Sequence, residues 1–284
     1  MKKVLLTTDS ACDMPNELFE KYGIKKMPFH IVLGVETYQD GVNITPDDIY
    51  DYVAKEKVLP KTGAPSIDDF VEFFGEQLKD NDCELVHITI SGECSSSYNF
   101  ARIAAGEFDG RVQVIDSRNL SSGQAVLVLK AVDLISEGLS AVEVKERIDA
   151  ISEKTNTSFV VDKLDYLAKG GRCSMLANLA GKALGIRPML VLREGKILAG
   201  KKYIISKMDK IALKYLEDLK EMYPNYDKKR CILVNSTVSE EMLSSMKEKI
   251  KNIFDFEEII EAKAGCVITS HCGKGSIGFM FIGE

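Results

Sequence analysis

Several places in this 284-residue chain carry side chains whose type and setting suit an acidic ligand. Ser95, Ser96 and Ser97 stand together where an apolar run, 85–90, gives way to a helical pattern reaching to about Gly106. Backbone N–H groups at a helix start, with hydroxyls beside them, make a site for an anion. One serine is needed as the N-cap, which leaves the others for a ligand. Thr62 lies in an extended stretch between Pro60 and Pro65. Ser66 with Asp69 reads as a helix cap just beyond it, whereas Thr62 has no helix to cap. Its hydroxyl is either held ready for a ligand or a solvated loop threonine. Arg172 follows Gly170-Gly171 at a bend between apolar segments. A fixed guanidinium there suits an acidic ligand group or partner, and the same pattern suits a C-cap glycine followed by a solvated arginine. His30 and His87 fall inside strand patterns and read as structural. His271 ends an apolar run before a glycine turn, and is the histidine placed near a site. Asp9, Ser10 and Asp13 follow the first apolar run, where open α/β sheets place ligands and where a turn into a helix also needs caps.

Composition narrows the chemistry. A net charge of −6 gives no basic footprint for nucleic acid. Seven cysteines without a CxxC, Cys266 and Cys272 being six apart, match no zinc spacing. Reduced thiols in a cytoplasm are expected, since the N-terminus lacks a secretory apolar region. No apolar run is long enough for membrane insertion. Residues 273–278 match G-x-G-x-x-G, but only six residues follow, too few for a βαβ unit. No Walker loop or G-x-S-x-G elbow occurs. No catalytic residue, metal or cofactor is assigned.

Residues 1–155 alternate strand and helix patterns, which predicts a mainly parallel sheet with flanking helices. Beyond that the pattern changes. Runs on either side of Glu194-Gly195 predict a hairpin, and so antiparallel pairing. Residues 24–33 read as one edge strand despite Pro28, and 266–270 as a strand leading into the glycine turn. The chain therefore reads as an α/β protein of two domains: 1–155, and 156–284 of mixed α+β character with the hairpin.

Several fragments taken together resemble one family. They are residues 8–15 (TDSACDMP), 38–41 (YQDG), 62–66 (TGAPS), 90–98, Asp116-Ser117, 166–172 (YLAKGGR), 186–188 (IRP) and 271–275 (HCGKG). Their order and spacing are similar to those of the DegV family of bacterial fatty-acid-binding proteins. The resemblance implies two α/β domains with a long-chain fatty acid, about C16–C18, buried between them. It places the carboxylate at Thr62 and Ser95, with Ser96 and His271 beside the head group. It also implies that the protein, not itself an enzyme, presents the carboxylate to a separate fatty acid kinase. Arg172 and Lys201 would serve that partner and the phosphoryl transfer. Family patterns T-S-Q-P-S, L-S-G-T and H-x-G-P-G are here TGAPS, CSSS and HCGKG, so Ser96 replaces a glycine and Lys274 a proline. Rival readings are a phosphoryl or acyl transferase using the region of Asp9, Ser95 and His271, and a lipid-responsive regulatory protein.

Overall fold

A computed structural model describes residues 2–79, 82–162, 164–171, 187–204 and 207–284. The first half supplies β1 (Lys3–Asp9), α1 (Asn16–Tyr22), β2 (Lys25–Met27), β3 (His30–Leu33), β4 (Glu36–Gln39), α2 (Pro46–Glu56), β5 (Lys61–Gly63) and α3 (Ile67–Gln77). It continues through β6 (Cys83–Thr89), α4 (Ser97–Ala105), β7 (Val112–Asp116), α5 (Ser121–Ser136) and α6 (Ala141–Ser152). Strands β2-β1-β6-β7 form a parallel sheet in that order. Strands β4-β3-β5 form a small antiparallel sheet beside it.

The second half contains β8 (Thr155–Asn156), β9 (Ser158–Val160), α7 (Asp165–Gly170), β10 (Arg187–Arg193), β11 (Lys196–Tyr203) and α8 (Met208–Met222). It ends with β12 (Tyr226–Ser236), α9 (Glu240–Ile253), β13 (Glu258–Lys263), α10 (Cys266–Cys272) and β14 (Ser276–Gly283). These strands build a mixed sheet in the order β11-β10-β9-β14-β12-β13, with β8 also on β14. The predicted hairpin is present as β10 and β11. Its turn residues Glu194 and Gly195 both have positive φ, 51° and 76°. That backbone matches the right-handed twist of the flanking strands.

Helix α5 joins the halves. Residues 121–129 are all buried, so it is covered nearly all round, as a helix between two layers must be. One side packs with β1 and β6, the other with β12 and β14. Leu6, Val86 and Ile115 of the parallel sheet thus share a core with Val234, Ile260 and Met280 of the mixed sheet. Helices α3 and α4 cover the outer face of the parallel sheet, and α8 and α9 that of the mixed sheet. Gly123 is where α5 comes closest to its neighbour: a Cβ there would lie 1.7 Å from Thr157 Oγ1.

Two predicted strands change. The single strand over 24–33 is broken at Pro28, which has no N–H for a ladder. Its pieces enter different sheets, β2 on β1 and β3 on β4 and β5. The strand over 266–270 is the helix α10. Val267, Ile268, His271 and Cys272 follow helical spacing, and the Ser270 hydroxyl donates to Cys266 O, one turn back, at 2.7 Å. β-Branched residues made the segment read as a strand.

Candidate functional site

Thr62 belongs to β5, not to a loop. Its main-chain neighbour across the small sheet is Ile31. The pairing directs the Thr62 hydroxyl to α10, where Oγ1 lies 2.8 Å from His271 Nε2. The other side of the imidazole packs against the end of α7. A Cβ on Gly170 would fall 2.7 Å from His271 Nδ1, so the first glycine of the pair leaves room for the ring.

The serine loop is fixed by the second half of the chain. Ser91 Oγ donates to Gly195 O of the hairpin turn at 2.8 Å. The N–H groups of Cys94 and Ser95 return to Ser91 O. Ser96 is the N-cap of α4 by position but makes no side-chain cap. Ser95 Oγ instead accepts from Ser97 N–H at 3.2 Å. Accepting uses a lone pair, so the Ser95 O–H remains able to donate.

Thr62, Ser95, Ser96 and His271 line one cavity of about 460 Å³. Glu93, exposed beside the serine loop, adds a carboxylate to the polar side, and the remaining wall is mostly apolar, with Phe29, Ile90, Leu120, Phe159, Ile197 and Ile268 among its residues. These come from both halves and belong to one hydrophobic cluster, within which Ile268 is partly buried. Leu120, Phe159, Ile268 and Cys272 also line a narrow crevice running on to Val234, Ile277 and Met280, between α5 and the mixed sheet. The site is thus amphipathic, with hydroxyls and an imidazole at one end and hydrocarbon beyond.

Asp9 lies at the C-terminal end of β1, but its carboxylate is taken by protein donors. Oδ2 accepts from Ile90 N at 2.9 Å and Ser97 Oγ at 3.0 Å, and Oδ1 from Gln124 Nε2 at 3.0 Å. Burial raises its pKa to about 6 against those hydrogen bonds. Lys201 is not brought to the cavity. It lies within the bulge where Gly200 and Lys201 face Met189 between Pro188 and Leu190, and its ammonium meets the buried Asp218 of α8 at 2.7 Å, beside Tyr203. Arg172 lies outside the described residues. Among those residues no group of three His, Cys, Asp or Glu could hold a metal, and no helix is long and apolar enough to cross a membrane. The apolar wall was not singled out from sequence, because Phe29, Leu120, Phe159 and Ile268 sit in ordinary core patterns.

Fold and cavity together define an α/β protein in which two helix-covered sheets enclose α5 and a cavity with a polar end and an apolar wall lies between the halves. The family model of uncharacterised DegV proteins matches residues 3–284, and the chain belongs to the DegV family. A DegV domain-containing protein of Clostridium acetobutylicum is 31% identical over 283 residues, 99% of each chain. The solved structure of a DegV family protein from Thermus thermophilus, described for its fatty acid binding, covers 100% of both chains with a TM-score of 0.90 and 28% identity. A stearic acid-binding protein from Eubacterium ventriosum superposes with a TM-score of 0.81 at 27% identity, covering 100% of this chain and 98% of that one.

Proposed function

We propose that this protein binds one long-chain fatty acid between its two halves, residues 1–155 and 156–284, with the carboxylate at Thr62 and Ser95. The observation that carries the reading is the cavity itself, polar at Thr62, Ser95 and His271 and apolar along Phe29, Leu120 and Phe159. A fatty acid is one charge on a hydrocarbon chain. Burying each CH₂ contributes roughly 0.8 kcal/mol, so a C16 tail supplies a gross drive on the order of 10 kcal/mol before ordering costs. Its carboxylate needs donors, since an unpaired buried anion is costly. Thr62 has one hydrogen to give. When it turns to the ligand, His271 Nε2–H takes over as donor to Thr62 Oγ1, along the 2.8 Å contact already present. Ser95 supplies the second donor and Ser96, at the exposed rim, a third. The tail follows the apolar wall into the crevice, where Met280, unbranched and adaptable, shifts to admit it.

Hydroxyl donors leave the carboxylate oxygens less shielded than a bidentate arginine clamp would. The second part of the proposal is that the head group is presented to a separate kinase, with Arg172 near the transferred charge. Asp9 has no part in it, because its oxygens are occupied. Lys201 is left to its ion pair with Asp218.

Calorimetric titration of delipidated protein with saturated fatty acids of increasing length tests the binding reading. Affinity is expected to rise with each CH₂, by up to about fourfold per step, until the crevice is full. Affinity indifferent to chain length would refute it.

A further inference from the structure

Helix α10 carries a large part of the cavity wall, with Val267, Ile268, His271 and Cys272 all facing in. It comes from the second half of the chain, yet its first N–H groups are held by carboxylates of the first half. Gly265 N donates to Asp13 Oδ1 at 2.7 Å, and Cys266 N to Asp40 Oδ1 at 3.1 Å. Both carboxylates are anchored in turn. Ser121 Oγ, at the start of α5, donates to Asp13 Oδ2 at 2.5 Å, and Ser122 Oγ to Asp13 O at 2.6 Å. Ser10 Oγ donates to Asp40 Oδ2 at 2.8 Å. Asp13 and Asp40 are both buried, 3% and 5% exposed. The other end of α10 is tied by the bond between Thr62 and His271. The wall over the ligand space is therefore fastened at both ends to the first half.

We propose that Asp13 and Asp40 are positioning residues for the lipid site: they clamp the N-terminal end of α10 and hold its cavity-lining face closed. The role in lipid retention rests on the binding reading above, whereas the clamp itself does not.

The clamp has a built-in pH dependence. Burial, and the charge of Asp40, push the Asp13 pKa up to about 7 against its hydrogen bonds to Ser121 and Gly265 and the nearby Lys26. The other titratable groups around it are the thiols of Cys12, Cys266 and Cys272, whose pKa values burial raises above their ordinary range. Glu17, Glu261 and Lys263 line the open groove outside it, with Asp48 of α2. Asp9 acts on the neighbouring Cys12. A carboxyl whose pKa is raised in the closed state and ordinary when solvated favours closure while protonated. That preference is lost as pH rises toward 7. Release of α10 becomes about tenfold more favourable between pH 6 and pH 8 if Asp13 is solvated on release.

Hydrogen exchange of the peptide spanning 265–272, corrected for intrinsic rates, reads this in ligand-free protein. In wild type, protection is expected to fall about tenfold from pH 6 to pH 8. Asp13→Asn keeps an acceptor for Gly265 N–H without the charge, and should stay protected with little change over that range. Asp13→Ala and Asp40→Ala leave unmatched the half-buried N–H of Gly265 and the buried N–H of Cys266, and should lose at least about fivefold protection at every pH. Any titration of His271 is common to wild type and Asp13→Asn. Equal pH slopes in those two proteins, or undiminished protection in both alanine variants, would overturn the proposal. Should the alanine variants not fold, the Asp13→Asn comparison decides. Dissociation rates of a fluorescent long-chain fatty acid, measured alongside, should follow the same order. A protein that takes up no fatty acid refutes the binding reading, while the exchange result still decides the clamp.

Discussion

Thr62 is placed to do one thing that no neighbouring side chain does. It sits on a strand, so its backbone is paired, and its hydroxyl already meets His271 Nε2. Replacing it by valine keeps the shape and the β-branched fit to the strand but removes the donor. A hydrogen bond to a charged group contributes about 1.5–3 kcal/mol, so Thr62→Val should weaken fatty acid affinity about ten- to hundredfold. Its unfolding free energy should fall by only about 1 kcal/mol, the loss of the one hydrogen bond to His271. Titration beside wild type, with melting as a control, separates the two effects. Binding that survives unchanged would remove Thr62 from the head-group site. That Thr62, Ser95, Ser96 and His271 belong to one place was legible only through the family resemblance, since local sequence left Thr62 open between a ligand and solvent and did not say which serine caps α4. The roles of Asp13 and Asp40 were not legible. Their partners on α10 lie more than 200 residues away, and local spacing carries no trace of such a contact.

At the scale of elements, strand and helix types were readable where the pattern ran clearly, as in β6, α4 and the β10–β11 hairpin. They failed where tertiary contacts decide. Helix α10 has only seven residues and includes a valine, an isoleucine and a threonine. Local preference points to a strand, and the two carboxylates with the Thr62 contact hold it as a helix. Helix α5 begins at Ser121. Its first polar residues bond to Asp13 from within the core. Strand β6 offers a test of a buried titratable group. His87 is fully buried among the rings of Phe70, Phe73 and Phe74, with centroids 5.5, 6.2 and 5.2 Å away. Burial lowers its pKa from 6.5 to about 3. A base depressed on folding contributes stability at neutral pH that is lost as pH falls below its unfolded value. His87→Phe removes that loss. Relative to wild type, the variant should gain about 2 kcal/mol of unfolding free energy between pH 7 and pH 5. Denaturant titrations at the two pH values check this. Asp9 and Asp13, whose pKa values are raised, act in the opposite sense but equally in both proteins. A difference that does not change with pH would mean His87 is solvated.

At the scale of the molecule, the two halves are joined by more than a linker. The hairpin turn rests on the serine loop, α5 lies between the sheets, and α10 crosses to the first half. The alternation of strands and helices before residue 155, and its change afterwards, gave the architecture in outline. The residues of the cavity's apolar wall were not legible from local pattern, since they come from several elements and loops that meet only on folding. A cavity with a polar end and an apolar wall running into a narrow crevice suits a ligand with one polar head and a hydrocarbon tail. Native mass spectrometry of the protein as purified from bacterial cells, followed by denaturing extraction, tests this most directly. The account predicts one long-chain fatty acid per chain, released on denaturation and restored when delipidated protein is mixed with palmitate or stearate. A protein that carries nothing and takes up neither acid would contradict it.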